Sequence, residues 1–264
     1  MNLEKITSQV IDVVLQAGEF IRSESLKFQT NDIEEKGFNN LVTYVDKQTE
    51  HYIVENLAKI VPQAGFITEE ETTDKFSATL NWIIDPLDGT TNFVRGFPFF
   101  ASTVALADGH DLLLGVTYEV CRKELFHAWK GGGAYCNGER MKVTAVTDLK
   151  KSLTVAGFPY DLKGKSEDYF SMLEKLNGQS LGFRGCGSAA VNLAYVAAGR
   201  ADAYFEFNLH LWDIAAGIIL VREAGGNVTD FTGGTNYWDG SEVLAAGAVY
   251  PEIHGFLKKY FLKR

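Results

Sequence analysis

The sequence predicts a layered α+β or α/β fold in which sheets are covered by helices. Long amphipathic stretches at helical spacing open the chain. A middle region carries short strand-like runs separated by turn residues, and the second half alternates strand-like and helix-like segments. Leu3, Ile6, Val10, Val13, Val14, Ala17, Phe20 and Ile21 recur with the period of a helix face. The polar stretch Asn31–Asn40 ends that element, and Leu41-Val42-Thr43 reads as a short strand or turn leading to Asp46 near the start of a second helix. Ile53, Val54, Leu57 and Ile60 supply its apolar face, and Pro62 closes it. Gly65–Thr68 reads as a strand running directly into Glu69-Glu70-Glu71. Strands are expected over Phe99–Ala107, Leu112–Tyr118 and Glu124–Trp129, with turns at Asp108-Gly109 and Arg122-Lys123. Their short connections indicate an antiparallel meander. Gly131-Gly132-Gly133 and Asn137-Gly138 read as further turns. Lys150–Ser180 is polar and reads as a linker around one surface helix near Tyr169–Leu176. It divides the chain into an N-terminal half, 1–150, and a C-terminal half, 151–264, packed as one unit. The second half then offers a strand at Leu181–Arg184 and a small-residue helix over Ser188–Ala198. Another strand follows at Ala201–Phe207, then an apolar helix over Trp212–Ala224, a strand pair and a terminal helix over Pro251–Lys263.

The stretch around which the chain is organised is Trp82–Phe93. Trp82, Ile83 and Ile84 read as a buried strand. Pro86 has no N–H to give a ladder, so the strand is expected to stop there. Gly89-Thr90-Thr91-Asn92 reads as a turn into a short helix capped by hydroxyl side chains. Asp85 and Asp88 would then stand beside a helix N-terminus that favours an anion. Carboxylates repel a phosphate unless a divalent cation lies between them, so the stretch points to metal-dependent phosphate chemistry.

Bulk composition narrows the class. The 264 residues are 46% hydrophobic and 22% charged, enough apolar material for a core without disulfides. The formal net charge of −9 argues against general nucleic-acid or anionic-membrane binding. Cys121, Cys136 and Cys186 form no CxxC pair, which fits a reducing cytoplasm. The N-terminus lacks a basic region followed by an apolar run, and no stretch approaches the roughly 18 apolar residues of a membrane span. A soluble, cytoplasmic protein is expected.

Four acidic residues follow or open apolar elements: Glu69, Asp85, Asp88 and Asp213. Each has a plain alternative. Asp213 could be a helix cap, and Glu69 the start of a solvated acidic run. The Asp85-Pro86-Leu87-Asp88 spacing is harder to explain that way, since a turn needs one Asx residue and two neighbouring carboxylates repel. Hard oxygen ligands suit Mg²⁺, and two ions sharing Asp85 could clamp attacking and leaving oxygens. Glu69 and Thr90 are candidates to orient a water. Competing motifs fare worse. Gly164-Lys165-Ser166 resembles the end of a P-loop, but Pro159 occupies the required upstream glycine position. Gly185-Cys186-Gly187-Ser188-Ala189-Ala190 fits a dinucleotide fingerprint, yet it follows a poor strand and leaves Asp85 and Asp88 unexplained. The five histidines show no paired ligand spacing, and His210 beside Trp212 reads as structural.

These residues resemble the motifs of the inositol monophosphatase family, Mg²⁺-dependent and lithium-sensitive phosphatases, and the resemblance covers nearly the whole chain. Trp82–Phe93 is similar to the first motif and Leu211-Trp212-Asp213-Ile214-Ala215-Ala216-Gly217 to the second. Phe66–Glu70 and Leu41–Asp46 match the upstream acidic segments. The resemblance implies the αβαβα sugar-phosphatase fold, commonly as a homodimer. It implies a first Mg²⁺ on Glu69, Asp85 and the Leu87 carbonyl, a second on Asp85, Asp88 and Asp213, and a weaker third near Glu69. It further implies that Asp46 and Thr90 polarise the attacking water and that Gly89 and Thr90 present N–H groups to phosphate. Substrate hydroxyls would meet Ser188, Ala189, Glu206 and Asp213, with Asp88 at the same wall.

The loop bearing Asn208 and Leu209 differs from that of the best-known inositol enzymes. The expected reaction is therefore hydrolysis of a small phosphorylated substrate, inositol-1-phosphate first, with an NADP(H) 2′-phosphatase or another sugar or nucleotide phosphatase as alternative. A transcription-associated binding factor is the alternative of a different class.

Overall fold

The structure is a computed structural model that describes residues 1–28, 33–37, 40–158, 164–239 and 242–261. Helix α1 (Leu3–Ser25) begins where the Asn2 side chain accepts the Lys5 N–H, and it buries Val10, Val13, Val14, Ala17 and Ile21. Strands β1 (Ile33–Gly37) and β2 (Asn40–Thr43) pair antiparallel. The helix ends at Ser25, before the polar Asn31–Asn40 stretch expected to end it, and that stretch holds β1 and the first residue of β2 instead. Its residues 31, 32, 38 and 39 lie outside the described part. Helix α2 (Tyr44–Ile60) starts on a capping box between Thr43 and Asp46.

Seven strands follow in one sheet: β3 (Gly65–Thr68), β4 (Leu80–Asp88), β5 (Ala101–Asp108), β6 (Asp111–Glu119), β7 (Glu124–Trp129), β8 (Gly133–Cys136) and β9 (Glu139–Arg140). They lie side by side in sequence order, with only β3 and β4 parallel. The expected meander is therefore present. Asn137 and Gly138 turn β8 into β9 with φ values of 49° and 84°, the left-handed pair that a tight hairpin requires. The short helix α3 (Thr90–Arg95) sits between β4 and β5.

The second sheet holds β10 (Leu153–Ala156), β11 (Gly182–Arg184), β12 (Ala203–Phe207), β13 (Asn227–Thr229) and β14 (Glu242–Ala246), in the order β11-β10-β12-β14-β13. Its helices are α4 (Ser166–Asn177), α5 (Ala189–Ala197), α6 (Leu211–Glu223) and α7 (Tyr250–Tyr260). The linker expected over Lys150–Ser180 is corrected here. It contains β10, an interior strand, and α4, which buries Tyr169, Met172, Leu173 and Leu176. Leu153-Thr154-Val155-Ala156 is too short a β-branched run to stand out in polar surroundings, and its partners β11 and β12 are remote in sequence. Pro159, used above to exclude a P-loop, lies outside the described residues.

Five layers result. Residues of α1 and α2 such as Val14, Ile21, Ile53 and Leu57 pack with Trp82, Ile84, Leu106 and Val116 on one face of the large sheet. Ile83, Ala105 and Ala128 on its other face meet α5 and α6, which in turn meet Val155, Tyr204 and Val243 of the small sheet. The far face of that sheet, Ala156, Phe205 and Leu244, is covered by α4 and α7. The order α-β-α-β-α is the architecture anticipated. From Ile214 to Val221 helix α6 is apolar all round because it is sandwiched between sheets. A Cβ on Gly217 would lie 2.4 Å from Leu193, so glycine lets α5 and α6 touch closely.

Candidate active site

The site starts from an irregularity in β4. The strand does not stop at Pro86 but runs to Asp88. Asp85 pairs with Thr103 and Asp88 with Ala101, so three steps on β4 face two on β5. The extra residue is a bulge, and Pro86 is accommodated there because β3 pairs β4 only as far as Ile84. In a regular strand, residues three apart point to opposite faces. The bulge returns Asp88 to the face of Asp85, because their partners are two apart. The Asp85 carboxylate also accepts the Leu87 N–H at 3.0 Å, which holds the bulge in shape.

Neighbouring elements bring the other acids. Because β3 runs parallel to β4 with Thr68 opposite Ile84, Glu69 leaves its strand level with Asp85. Asp213 comes from the first turn of α6, where its carboxylate accepts the His210 N–H at 2.7 Å. The cap reading of Asp213 is therefore part of the truth. Asp85 is 1% exposed. Burial, then the charges of Glu69, Asp88 and Asp213, hold its carboxyl well above the usual range. Asp213 is raised in the same way, by burial and then by Asp88. Burial pushes Asp88 up to about 6, although the Ser188 hydroxyl opposes this.

Asp46, 1% exposed, receives the Thr43 N–H at 2.9 Å and the Thr43 hydroxyl at 2.6 Å on one oxygen. Its other oxygen faces the Thr90 hydroxyl at 3.0 Å. Burial lifts Asp46 to about 6. Thr90 Oγ1 also lies 3.0 Å from the Leu87 carbonyl. The expected hydroxyl cap on α3 is absent: its N-cap is Gly89, at φ 92°, with no side-chain bond. Thr90 is engaged by Asp46 and Leu87 instead. A Cβ on Gly89 would lie 3.1 Å from the Phe99 carbonyl and 3.2 Å from the Gly187 carbonyl, so position and conformation both demand glycine.

From the second half, Ser188 N-caps α5 and gives its hydroxyl to Asp88 at 2.5 Å, while the Ala190 N–H reaches the same oxygen at 2.7 Å. Ala189 adds a further backbone donor to Asp88. The start of α5 thus holds a carboxylate of the other sheet, a favourable place for negative charge. Glu206 on β12 accepts the Tyr204 hydroxyl at 2.6 Å. Burial pushes it up to about 7, with the Asp88 charge adding to the rise.

Every residue singled out from the sequence therefore belongs to one neighbourhood. The P-loop alternative separates from it, since Lys165 and Ser166 begin α4, whereas His210 adjoins it in a structural role, its N–H on Asp213 and its ring stacked on Trp212 with ring centres 4.6 Å apart. Sequence reading missed four contributors. Asn92 gives its amide to the Phe99, Cys186 and Gly187 carbonyls, tying α3 to the loop before Ser188. Gly157 makes room for Glu206, since a Cβ there would lie 1.7 Å from its carboxyl carbon. Tyr204 orients Glu206. Glu50, on α2, binds the segment after Glu69. Only Glu50 left a signal, a carboxylate on the buried stripe of Asp46, Ile53 and Leu57.

The donor set fits a hard divalent cation. The strongest influences on Asp85 and Asp213 are burial and like charges, with no basic group among them, and such a cluster is relieved by protons or by metal. Among the described residues no three acidic, histidine or cysteine groups already converge on one point. The carboxylates are close enough to act on one another.

Known proteins give the family. The sequence profile described as the inositol monophosphatase family matches residues 2–262. "Nus factor SuhB" of Escherichia coli K12 is 44% identical over 218 residues, 81% of this chain and 80% of that protein. "Inositol-1-monophosphatase" of Mesorhizobium japonicum is 36% identical over 241 residues, 91% of each. The crystal structure of extragenic suppressor protein suhB from Bartonella henselae matches with a TM-score of 0.89 at 35% identity, covering 97% of this chain and 99% of that one. Fold and relatives together define a phosphomonoesterase. More narrowly, the chain belongs to the inositol monophosphatase family.

Proposed function

We propose that this phosphatase hydrolyses inositol-1-phosphate to inositol and phosphate, with two to three Mg²⁺ ions bound. The observation that carries the reading is the carboxylate cluster beside the Asp46–Thr90 hydrogen bond: Asp85, Asp88 and Asp213 are raised by burial, and the Glu69 charge acts on Asp85 and Asp213. Glu69, Asp85, the Leu87 carbonyl, Asp88 and Asp213 would hold the ions. Bound there, Mg²⁺ would supply charge for the phosphate oxygens and lower the pKa of water.

The chain's own groups supply the rest. Asp46 accepts a proton through Thr90: the Thr90 hydroxyl takes one from the attacking water and passes its own to Asp46 Oδ1. The Asp46 pKa of about 6 leaves it mostly ionised at neutral pH, as a base must be. Glu69 orients the water from the end of the neighbouring strand β3. Gly89 and Thr90 offer N–H groups to the phosphate. Glu206 and Asp213 accept substrate hydroxyls, and Ser188 and Ala189 shape that wall through their bonds to Asp88. Glu206 favours a polyol leaving group over a featureless one. The family resemblance supports a homodimer. Three free cysteines support the cytoplasm, and among the described residues no helix is long and apolar enough to cross a membrane.

Purified protein mixed with Mg²⁺ and inositol-1-phosphate is expected to release inorganic phosphate faster than with NADP. Preference for NADP would replace the inositol reading with the 2′-phosphatase alternative. A second reading draws on the 44% identical relative named a Nus factor: the chain also binds the transcription machinery. An Asp85→Asn variant that loses turnover yet is still captured by purified transcription proteins would support that role, and absence of capture by the wild type would remove it.

A further inference from the structure

Glu50 lies one turn beyond Asp46 on α2, about 6 Å further along the axis and on the same face. Its side chain is fully buried. One carboxylate oxygen accepts the Glu70 N–H at 2.9 Å. The other accepts the Thr72 N–H at 3.0 Å and the Thr72 hydroxyl at 2.8 Å. Between those two N–H groups stands Glu71, at φ 53°, in the left-handed region that favours glycine. The carboxylate therefore grips both ends of a reversed residue, and the segment so held is the one that begins at Glu69.

We infer that Glu50 is a positioning residue that sets the Glu69–Glu70 segment for cation binding. One rigid helix then carries two carboxylates with separate tasks. Asp46 reaches Thr90 at the start of α3, just after β4, and Glu50 reaches the segment after β3. The helix thereby registers the water-activating pair against the Glu69 side of the ligand set. The inference rests on the reading of Glu69 as a metal ligand.

Glu50→Gln is the stringent probe, because it preserves shape. A glutamine has one acceptor oxygen, so in either orientation its NH₂ faces a backbone N–H. Isothermal titration with Mg²⁺ alone is expected to show affinity lowered by on the order of 10- to 100-fold, as when a partner of a metal ligand is removed. Turnover is expected to recover in large part at saturating Mg²⁺, so that the Mg²⁺ midpoint moves more than kcat. Thr72→Val, which removes one donor and leaves α2 intact, is expected to weaken Mg²⁺ in the same direction by a smaller factor. It decides the matter if Glu50→Gln does not fold by circular dichroism. Wild-type Mg²⁺ affinity in the folded Glu50→Gln protein, or in Thr72→Val if that alone folds, overturns the role. A wild-type protein that binds no Mg²⁺ overturns instead the metal reading beneath it.

Discussion

At the scale of single residues, the proposed chemistry rests on carboxyl groups that burial makes hard to ionise. Asp85 is the member that feels Glu69, Asp88 and Asp213 together. Asp85→Asn is expected to reduce phosphate release by at least about a hundredfold while leaving the far-ultraviolet circular dichroism spectrum unchanged, since losing a shared ligand weakens every ion it holds. Turnover near the wild-type rate would refute the shared role. Glu206 gives a test of sign. Its folded pKa of about 7 exceeds the ordinary 4.5, so the folded state holds the proton longer than the unfolded chain. Its contribution to stability is complete below about pH 4.5 and lost as pH rises towards 7. In metal-free protein, Glu206→Gln should therefore gain stability relative to wild type across that window, by on the order of 3 kcal/mol at most. Denaturant titrations at pH 5 and pH 8 measure it, and a pH-independent difference contradicts the burial argument. With Mg²⁺ present, Glu206→Ala should raise KM for inositol-1-phosphate more than for an aryl phosphate. Equal effects would remove Glu206 from substrate recognition.

Among the elements, the bulge in β4 and the capping box of α2 matter most. The bulge converts a three-residue spacing into two carboxylates on one face. The capping box fastens Asp46 where it meets Thr90. Thr43→Ala deletes a hydroxyl that both caps α2 and bonds Asp46. A stability loss of about 0.5–2 kcal/mol is expected from the cap alone, accompanied by a fall in kcat from the loosened Asp46. A variant with lowered Tm and intact kcat would assign Thr43 to capping only. Between β10 and α4, Gly157→Ala pushes a methyl into the Glu206 carboxylate. Overpacking of this kind costs about 1–3 kcal/mol, and KM should rise with it. The strand β10 itself was hidden in the sequence. Four residues inside a polar stretch carry too little pattern, and its stability comes from neighbours on both sides.

For the whole molecule, the two sheets must stay in register for the site to exist, because Asp88 comes from one and Ser188 from the helix leading to the other. Asn92 fastens the same junction through three carbonyls, and Arg200 of the second half pairs both nitrogens with Glu124 at 2.6 Å. Mg²⁺ at about 100 times its dissociation constant should stabilise the protein by about 2.7 kcal/mol, since only the folded state assembles the ligands. Thermal melts with and without a chelator measure this. An identical Tm in both would argue that the carboxylates bind no cation.

The sequence alone determined the class of this protein. Apolar periodicity marked most helices and the meander, and Asp85, Asp88, Glu69 and Asp213 were legible because each ends or opens an apolar element. Those signals are local, carried by a few consecutive side chains. What the tertiary structure decided is non-local. It set the bulge that turns Asp88 to the side of Asp85, the strand β10, the Gly157 gap for Glu206, the Asn92 tie and the grip of Glu50 on residues 70–72. Each depends on partners that only the folded chain brings within hydrogen-bonding distance, and no spacing along the chain encodes that distance.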